Sequence, residues 1–277
     1  MKTTTLTTAL AYVAAAVAKP LEPRQGTPGS GPFAPAGWYT VGQLPRHTIY
    51  APRNTPQDAK LPVLLWGNGA CSADGLSAVN FLSQIASHGV LVISQGTPWG
   101  QGSTTGQQMR DALNFITSPQ ARNVNADFAK VDSSRILAAG FSCGGIEAYE
   151  QIWDDRVFGV GIWNSGLLNN YEQARNFRKP VFFFLGGPSD IAYQNGERDY
   201  NYMQPGVPKW KGNLNVGHGG TYGDYNGGKF GTAASYWVEW LLRGNETAKS
   251  FFTQGGAQRD GWQVVFADLD RIQVNPI

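Results

Sequence analysis

Short apolar runs alternate along the chain with segments whose apolar residues recur at helical spacing, and few folds accommodate this pattern. Five continuous runs predict buried strands at residues 61–66, 89–94, 135–139, 157–163 and 181–185. Four segments with one apolar face predict helices at residues 76–87, 104–118, 143–153 and 230–242. Together they indicate an α/β fold with a mostly parallel central sheet that is covered by helices on both faces.

The position of a site follows from this fold class, because parallel sheets carry their sites at the carboxyl ends of the strands. We therefore expect functional residues in the loops that follow five strand ends, at Trp66, Ser94, Phe141, Trp163 and Leu185.

Composition narrows the class of protein. The chain has 277 residues, of which 42% are hydrophobic, and this excludes a disordered or collagen-like chain. A net charge of +2 gives no electrostatic footprint for nucleic acid. Beyond the N-terminus, no stretch approaches the ~20 apolar residues of a membrane span, so membrane insertion is not expected. We expect one domain over residues 37–277, acting as a monomer.

The N-terminus has the pattern of a secretory signal peptide. Lys2 precedes a short apolar stretch that ends in the small-x-small sequence at residues 16–18. We predict a signal peptide over residues 1–18, with an ordinary disordered N-terminus as the alternative. Residues 19–36 are rich in Pro and Gly and predict a flexible leader or pro-segment. The chain is then expected to be secreted and extracellular, and Asn245 lies in its one glycosylation sequon.

Residues 140–144 match the G-x-S-x-G pattern and carry the nucleophile candidate, Ser142. The match is weak alone, but this motif follows a predicted strand and opens a predicted helix, as a nucleophile elbow requires. The glycines leave room for a sharp turn that exposes Ser142 at the strand end. The alternative is a glycine-rich turn with an incidental serine.

A serine nucleophile needs a base, and the base needs an acid that orients it. Of the three histidines, His218 follows the elbow and a predicted strand at residues 213–216, whereas His47 and His88 are expected to be structural. Asp190 lies between Ser142 and His218 and follows a buried strand, so we predict it as the acid. The rival acids are Glu197, Asp199 and Asp224.

Two further groups of residues complete the predicted site. The backbone N–H groups of Asn68 and Cys143 are expected to form the oxyanion hole, since each follows a strand end beside Ser142. Trp66, Trp99 and Trp163 fall near strand ends and are candidates for a substrate groove, although aromatic residues there can equally be core packing. No metal site and no cofactor are predicted.

In these motifs the chain resembles the α/β-hydrolases, and more narrowly the branch of dienelactone-hydrolase-like proteins and bacterial cutinases (polyester hydrolases). The resemblance covers roughly residues 45–245 and includes the strand and loop at 61–70, the elbow, Gly187–Ala192 and Gly217–Gly219. It implies an α/β-hydrolase fold without a large lid domain, serine ester hydrolysis and no metal requirement.

The chain departs from the polyester hydrolases at three positions. Phe141 and Cys143 stand where those enzymes usually carry His and Met around the nucleophile, and Asn68 stands where they carry an aromatic residue that clamps the substrate. Cinnamoyl or short acyl esters are therefore alternatives to a polymeric ester as substrate.

The chain has two cysteines, and a secreted protein usually pairs them. In the implied fold, Cys71 and Cys143 lie at the same end of the sheet, so we predict a disulfide between them that ties the two oxyanion donors together. The alternatives are two buried free thiols, or Cys143 as the nucleophile in place of Ser142.

The predicted function is that of a secreted serine ester hydrolase, acting on a small-molecule or polymeric ester through a Ser142–His218–Asp190 triad and an acyl-enzyme. One alternative is an amide hydrolase or peptidase on the same fold. The other is a secreted binding module that has the fold without turnover.

Overall fold

A computed structural model describes residues 26–277. The strands are β1 (Ala36–Tyr39), β2 (His47–Pro52), β3 (Leu61–Gly67), β4 (Leu91–Gln95), β5 (Val131–Phe141), β6 (Val157–Trp163), β7 (Val181–Leu185), β8 (Lys209–Asn213) and β9 (Gln263–Ala267). Within the described range they form one nine-stranded sheet in the order β1-β2-β4-β3-β5-β6-β7-β8-β9. The pairs from β4 to β8 are parallel, whereas β1, β2 and β9 pair antiparallel at the edges. The predicted mostly parallel sheet is confirmed.

The helices lie between and beyond these strands. They are α1 (Val79–Ser87), α2 (Gly106–Ile116), α3 (Ala126–Ala129), α4 (Cys143–Tyr149), α5 (Tyr193–Tyr202), α6 (Gly228–Arg243), α7 (Glu246–Thr253) and α8 (Gly256–Arg259). The four predicted helices correspond to α1, α2, α4 and α6. The segment predicted as one helix over 143–153 is α4 followed by a tighter 3₁₀ turn at Glu150–Trp153.

Side chains alternate between two apolar layers, one on each face of the sheet. On β3, Leu64 and Trp66 point to the layer that holds α1, α6, α7 and α8, while Val63 and Leu65 point to the layer that holds α2, α4 and α5. Because the central strands are buried on both faces, their sequences are continuously apolar rather than alternating. The helices on both faces were predicted from this pattern and are present.

The strand before His218 lies earlier than predicted. The prediction placed it at residues 213–216, but β8 ends at Asn213. Hydrophobicity did not reveal β8 because its buried positions include Lys211 and Asn213, whose polar atoms bond to Glu197. The chain between β8 and His218 is a loop that carries the histidine back over the end of β7.

Residues 26–36 are the described part of the predicted leader; Ala36 begins β1, and the residues before it lie against α1. The backbone N–H of Gly31 donates to Ser87 Oγ, and the backbone N–H of Ser30 donates to Gln84 Oε1. Residues assigned to the leader from sequence therefore belong to the structured domain. The predicted signal peptide, residues 1–18, lies outside the described residues.

Candidate active site

Ser142 is the single residue between β5 and α4. Its backbone dihedral angles, φ 53° and ψ −117°, are a combination that L-residues rarely adopt. Two glycines permit this turn. A Cβ on Gly140 would lie 2.1 Å from the Gly144 carbonyl oxygen, and a Cβ on Gly144 would lie 2.1 Å from the Gly67 backbone. The strand, the turn and the helix thus pack with backbone against backbone, and the serine side chain is left at the carboxyl end of the sheet.

Ser142, His218 and Asp190 form a hydrogen-bonded chain. His218 Nε2 lies 2.9 Å from Ser142 Oγ, and His218 Nδ1 lies 2.6 Å from Asp190 Oδ1. The Asp190 side chain is fully buried, whereas the histidine ring is one-quarter exposed. The structure therefore brings together the three residues selected from sequence, with the serine within proton-transfer reach of the imidazole.

The carboxylate of Asp190 accepts hydrogen bonds from three described groups besides His218. The backbone N–H of Ala192 donates to Oδ1, and the backbone N–H of Gly186 donates to Oδ2. The side-chain amide of Asn164 also donates to Oδ2, at 2.9 Å. These hydrogen bonds hold the carboxylate in place with Oδ1 directed at His218 Nδ1, which orients the imidazole.

The other histidines lie away from this chain. His47 is buried and donates from Nε2 to the Gln108 carbonyl, and burial lowers the pKa of His47. His88 contacts Glu239.

The rival acids are placed elsewhere. Asp199 is buried against the hydroxyl of Tyr149 and the backbone N–H of Leu167. Glu197 pairs with Lys211, and Asp224 lies in the turn before α6. Among the described residues, none of the three is hydrogen-bonded or ion-paired to His218.

The predicted oxyanion donors occupy different environments. Cys143 is the first residue of α4, so its backbone N–H has no partner within the helix and lies beside Ser142. Asn68 is fully buried, and its side-chain amide donates to the carbonyl oxygens of Ser72 and Asp74 in the same loop and of Gln95 at the end of β4. Directly after Asn68, the loop residues Gly69 and Ala70 line the cavity at Ser142. Asn68 thus shapes the loop, and its role as a donor stays a prediction.

The predicted disulfide between Cys71 and Cys143 is confirmed. It joins residues that are 72 positions apart in the chain, at the end of the loop after β3 and at the start of α4. The alternative of two free thiols is excluded, and so is Cys143 as a free thiolate nucleophile. The bond fixes the loop after β3 to the start of α4, beside Ser142.

A cavity of about 630 Å³ opens beside Ser142. It is lined by small and aromatic residues together with one large aliphatic residue, Ile191; the lining residues are Trp66, Gly69, Ala70, Ser77, Ala78, Phe141, Ser142, Ile191, His218, Gly219, Tyr222 and Gly223. None of these described lining residues is Lys, Arg, Asp or Glu. The cavity therefore suits an uncharged, largely apolar group next to the serine hydroxyl.

Of the three tryptophans predicted to line a groove, the structure brings only Trp66 to this cavity. Trp163 is fully buried and stacks on Phe184 with ring centroids 3.7 Å apart, so it is core packing. Trp99 is partly exposed but lies edge-on to Trp38, outside the cavity lining. Strand-end position alone did not distinguish Trp66 from Trp163, because both side chains belong to the same apolar layer.

Sequence reasoning missed Asn164, Tyr222 and Ile191. Asn164 follows directly after β6, in a loop flagged as a site position, and a buried amide at such a strand end is the signal that could have found it. Tyr222 comes four residues after His218 and forms a cavity wall. Ile191 is next to Asp190 and is 82% exposed at the cavity mouth, which is unusual for a large apolar side chain.

Three remaining predictions concern the rest of the chain. Asn245 is exposed, and its side chain caps α7 by accepting from two backbone N–H groups. Glycosylation there stays a prediction. Among residues 26–277, no group of three or more His, Cys, Asp or Glu is placed to hold a metal ion. Within the same range, no helix has the length and apolar character needed to cross a membrane.

In comparisons with known proteins, no family model matches this chain, and no curated protein sequence matches it significantly.

Proposed function

We propose that the chain is a serine ester hydrolase of the α/β-hydrolase superfamily, acting on esters with an uncharged, apolar acyl group. The observation that carries this proposal is the chain of hydrogen bonds from Asp190 through His218 to Ser142, set at a strained strand-to-helix turn beside an apolar cavity. The two cysteines joined beside the site fit an oxidising compartment, so secretion is part of the proposal.

The proposed reaction has two halves. Ser142 Oγ attacks the ester carbonyl while His218 Nε2 takes the hydroxyl proton, and Asp190 holds the ring through Nδ1. The backbone N–H of Cys143 donates to the oxyanion, together with a donor from the loop after β3. His218 then protonates the leaving alcohol. Water, deprotonated by His218, attacks the acyl-enzyme and releases the acid and free Ser142.

A chain-length series of p-nitrophenyl esters, from acetate to palmitate, tests the proposal. Ser142→Ala is expected to abolish turnover, since it removes the nucleophile. The matched control is Ser83→Ala, because Ser83 is buried on α1 and its hydroxyl has no hydrogen-bond partner among the described residues. Turnover that survives in Ser142→Ala would overturn the proposal. A matched amide substrate, cleaved in preference to the ester, would favour a peptidase instead.

The pH profile gives a second readout. The base must be neutral to accept the serine proton, so activity is expected to fall on acidification through the range in which histidines titrate, about pH 6–7. A rate that stays flat from about pH 4 to 8 is incompatible with a histidine base.

A further inference from the structure

Asn164 is a buried amide that touches both the predicted acid and the loop of the predicted base. It follows β6 with a left-handed backbone, φ 42°, which Asn tolerates better than most residues. Its Nδ2 donates to Asp190 Oδ2 at 2.9 Å and to the carbonyl oxygen of Gly217 at 3.2 Å. Gly217 directly precedes His218, so one amide group bonds to the acid and to the segment that carries the base.

The orientation of this amide is fixed from its other end. The hydroxyl of Tyr222 donates to Asn164 Oδ1 at 2.6 Å. A flipped amide would place its oxygen against the Asp190 carboxylate and its NH₂ against a hydroxyl, losing the two bonds that Nδ2 makes. Burial, with a smaller contribution from Asp190, raises the pKa of Tyr222, so the hydroxyl keeps its proton and stays a donor. Tyr222, Asn164 and Asp190 thus form a directed series of hydrogen bonds.

We propose that Asn164 is a positioning residue of the hydrolase, which holds Asp190 and the His218 loop in register, and that Tyr222 acts through it. This inference rests on the proposed function, because it concerns the same site. Neither residue is hydrogen-bonded to the side chain of Ser142 or His218 among the described residues, and Asn164 is not among the residues that line the cavity. Tyr222 lines the cavity and also donates the hydrogen bond to Asn164. The series of hydrogen bonds therefore connects the wall of the proposed substrate pocket to Asp190.

The physical effect on the acid and base is twofold. The amide holds Oδ2, so that Oδ1 stays aimed at His218 Nδ1. It also withdraws negative charge from the carboxylate. Without it, more of that charge acts on the imidazole, and a nearby negative charge favours the protonated ring. The loss of Asn164 is therefore expected to change the titration of His218 as well as the rate.

The experiment compares wild type with Asn164→Leu, which keeps the approximate shape and removes the amide. A lost hydrogen bond to a charged group predicts a decrease in kcat of about 10- to 100-fold. KM is expected to change little, because Asn164 does not line the cavity. The titration of His218 is followed by NMR, which needs no substrate and is tractable because the chain has 3 histidines. Its midpoint is expected to move to higher pH in the variant.

Tyr222→Phe tests the second link while keeping the ring. It removes only the hydroxyl that orients the amide, so a smaller decrease in kcat in the same direction is expected. In the double variant Asn164→Leu/Tyr222→Phe, the kcat loss is expected to equal that of Asn164→Leu alone, since the hydroxyl acts through the amide. Losses that multiply independently would overturn the assigned link. Because Tyr222→Phe is a mild change, it remains informative if Asn164→Leu does not fold.

Gln151→Met is the matched control. Gln151 is a fully buried amide that donates to two carbonyl oxygens away from the triad, those of Gly106 and Glu147. It is expected to lower stability without moving the His218 titration. If Asn164→Leu behaves like this control, with kcat and the titration midpoint unchanged, the inference is wrong. A wild type without Ser142-dependent turnover would instead overturn the proposed function, while the NMR titration would still decide whether Asn164 acts on His218.

Discussion

Cys71 and Cys143 are joined by a disulfide that links the loop after β3 to the residue directly after Ser142. On one side of the bond, Gly69 and Ala70 line the cavity. On the other side, the backbone N–H of Cys143 begins α4. The bond therefore fixes the distance between the two backbone segments that flank the serine, which is the kind of preorganisation that oxyanion stabilisation requires.

Removing the disulfide is expected to destabilise the protein. In the chain-entropy model, a cross-link across 72 positions contributes roughly 4 kcal/mol to the free energy of unfolding. Urea unfolding of wild type, with and without reductant, and of Cys71→Ala/Cys143→Ala measures the effect. Reductant is expected to lower the stability of wild type and to leave the double variant unchanged. Equal unfolding free energies for oxidised and reduced wild type would contradict the prediction.

Glu147 makes stability depend on pH. It is buried on α4, where its carboxyl group accepts from Thr104 Oγ1, and burial raises the pKa of Glu147 to about 7. The charge of Glu150 adds to the shift, and Gln95 and Thr104 oppose it. Because the pKa in the unfolded chain is the ordinary value of 4.5, the folded state binds the extra proton between pH 4.5 and about 7. The stabilisation is fully present below pH 4.5 and is lost as the pH rises through 7.

Glu147→Gln tests this pH dependence by replacing the carboxyl group with a neutral amide of the same shape. We expect the variant to unfold with nearly the wild-type free energy at about pH 4 and to be more stable than wild type by about 1–3 kcal/mol at about pH 8. Glu150→Gln is the control, because Glu150 is exposed and is only a minor cause of the shift. A difference between Glu147→Gln and wild type that does not change with pH would contradict the assignment.

Ile191 is expected to select for longer acyl or alcohol groups. Its side chain is 82% exposed at the mouth of the cavity and next to Asp190 in the chain. Ile191→Ser removes apolar surface that a long substrate would cover, so KM for hexanoate and longer esters is expected to rise by about 3- to 10-fold, with little change for acetate. Leu168→Ser is the control, since Leu168 is also exposed but lines a separate cavity. An equal change in KM for every chain length would contradict this role.

The central strands were predictable because burial on both faces makes them continuously apolar. The bounds of β6 and β7 agree with the predicted segments, and β3 and β5 extend beyond theirs. The antiparallel strands β1, β2 and β9 were not recognised. β9 is largely exposed, and β1 follows a run of prolines and glycines that indicated a leader. Their pairing depends on neighbours that are distant in the chain, which periodicity does not report.

The candidate site was predictable where a motif fixes the order of residues along the chain. The order of Ser142, Asp190 and His218 along the chain, with Ser142 and Asp190 shortly after predicted strands, was enough to select them, although the strand predicted before His218 was misplaced. The amide of Asn164 and the wall at Tyr222 could not be selected in this way, because their roles arise from contacts between three loops. Trp163 shows the opposite error: it stands at a strand end, but its side chain points into the core.

The most direct test of the proposed chemistry is to trap the acyl-enzyme. Wild-type protein is mixed with a p-nitrophenyl ester, quenched in acid within the turnover time, and digested for mass spectrometry. We expect one acyl group, carried by the peptide that contains Ser142, and no such adduct in Ser142→Ala. An acyl group on another residue that turns over with the substrate, or steady hydrolysis by Ser142→Ala, would contradict the account.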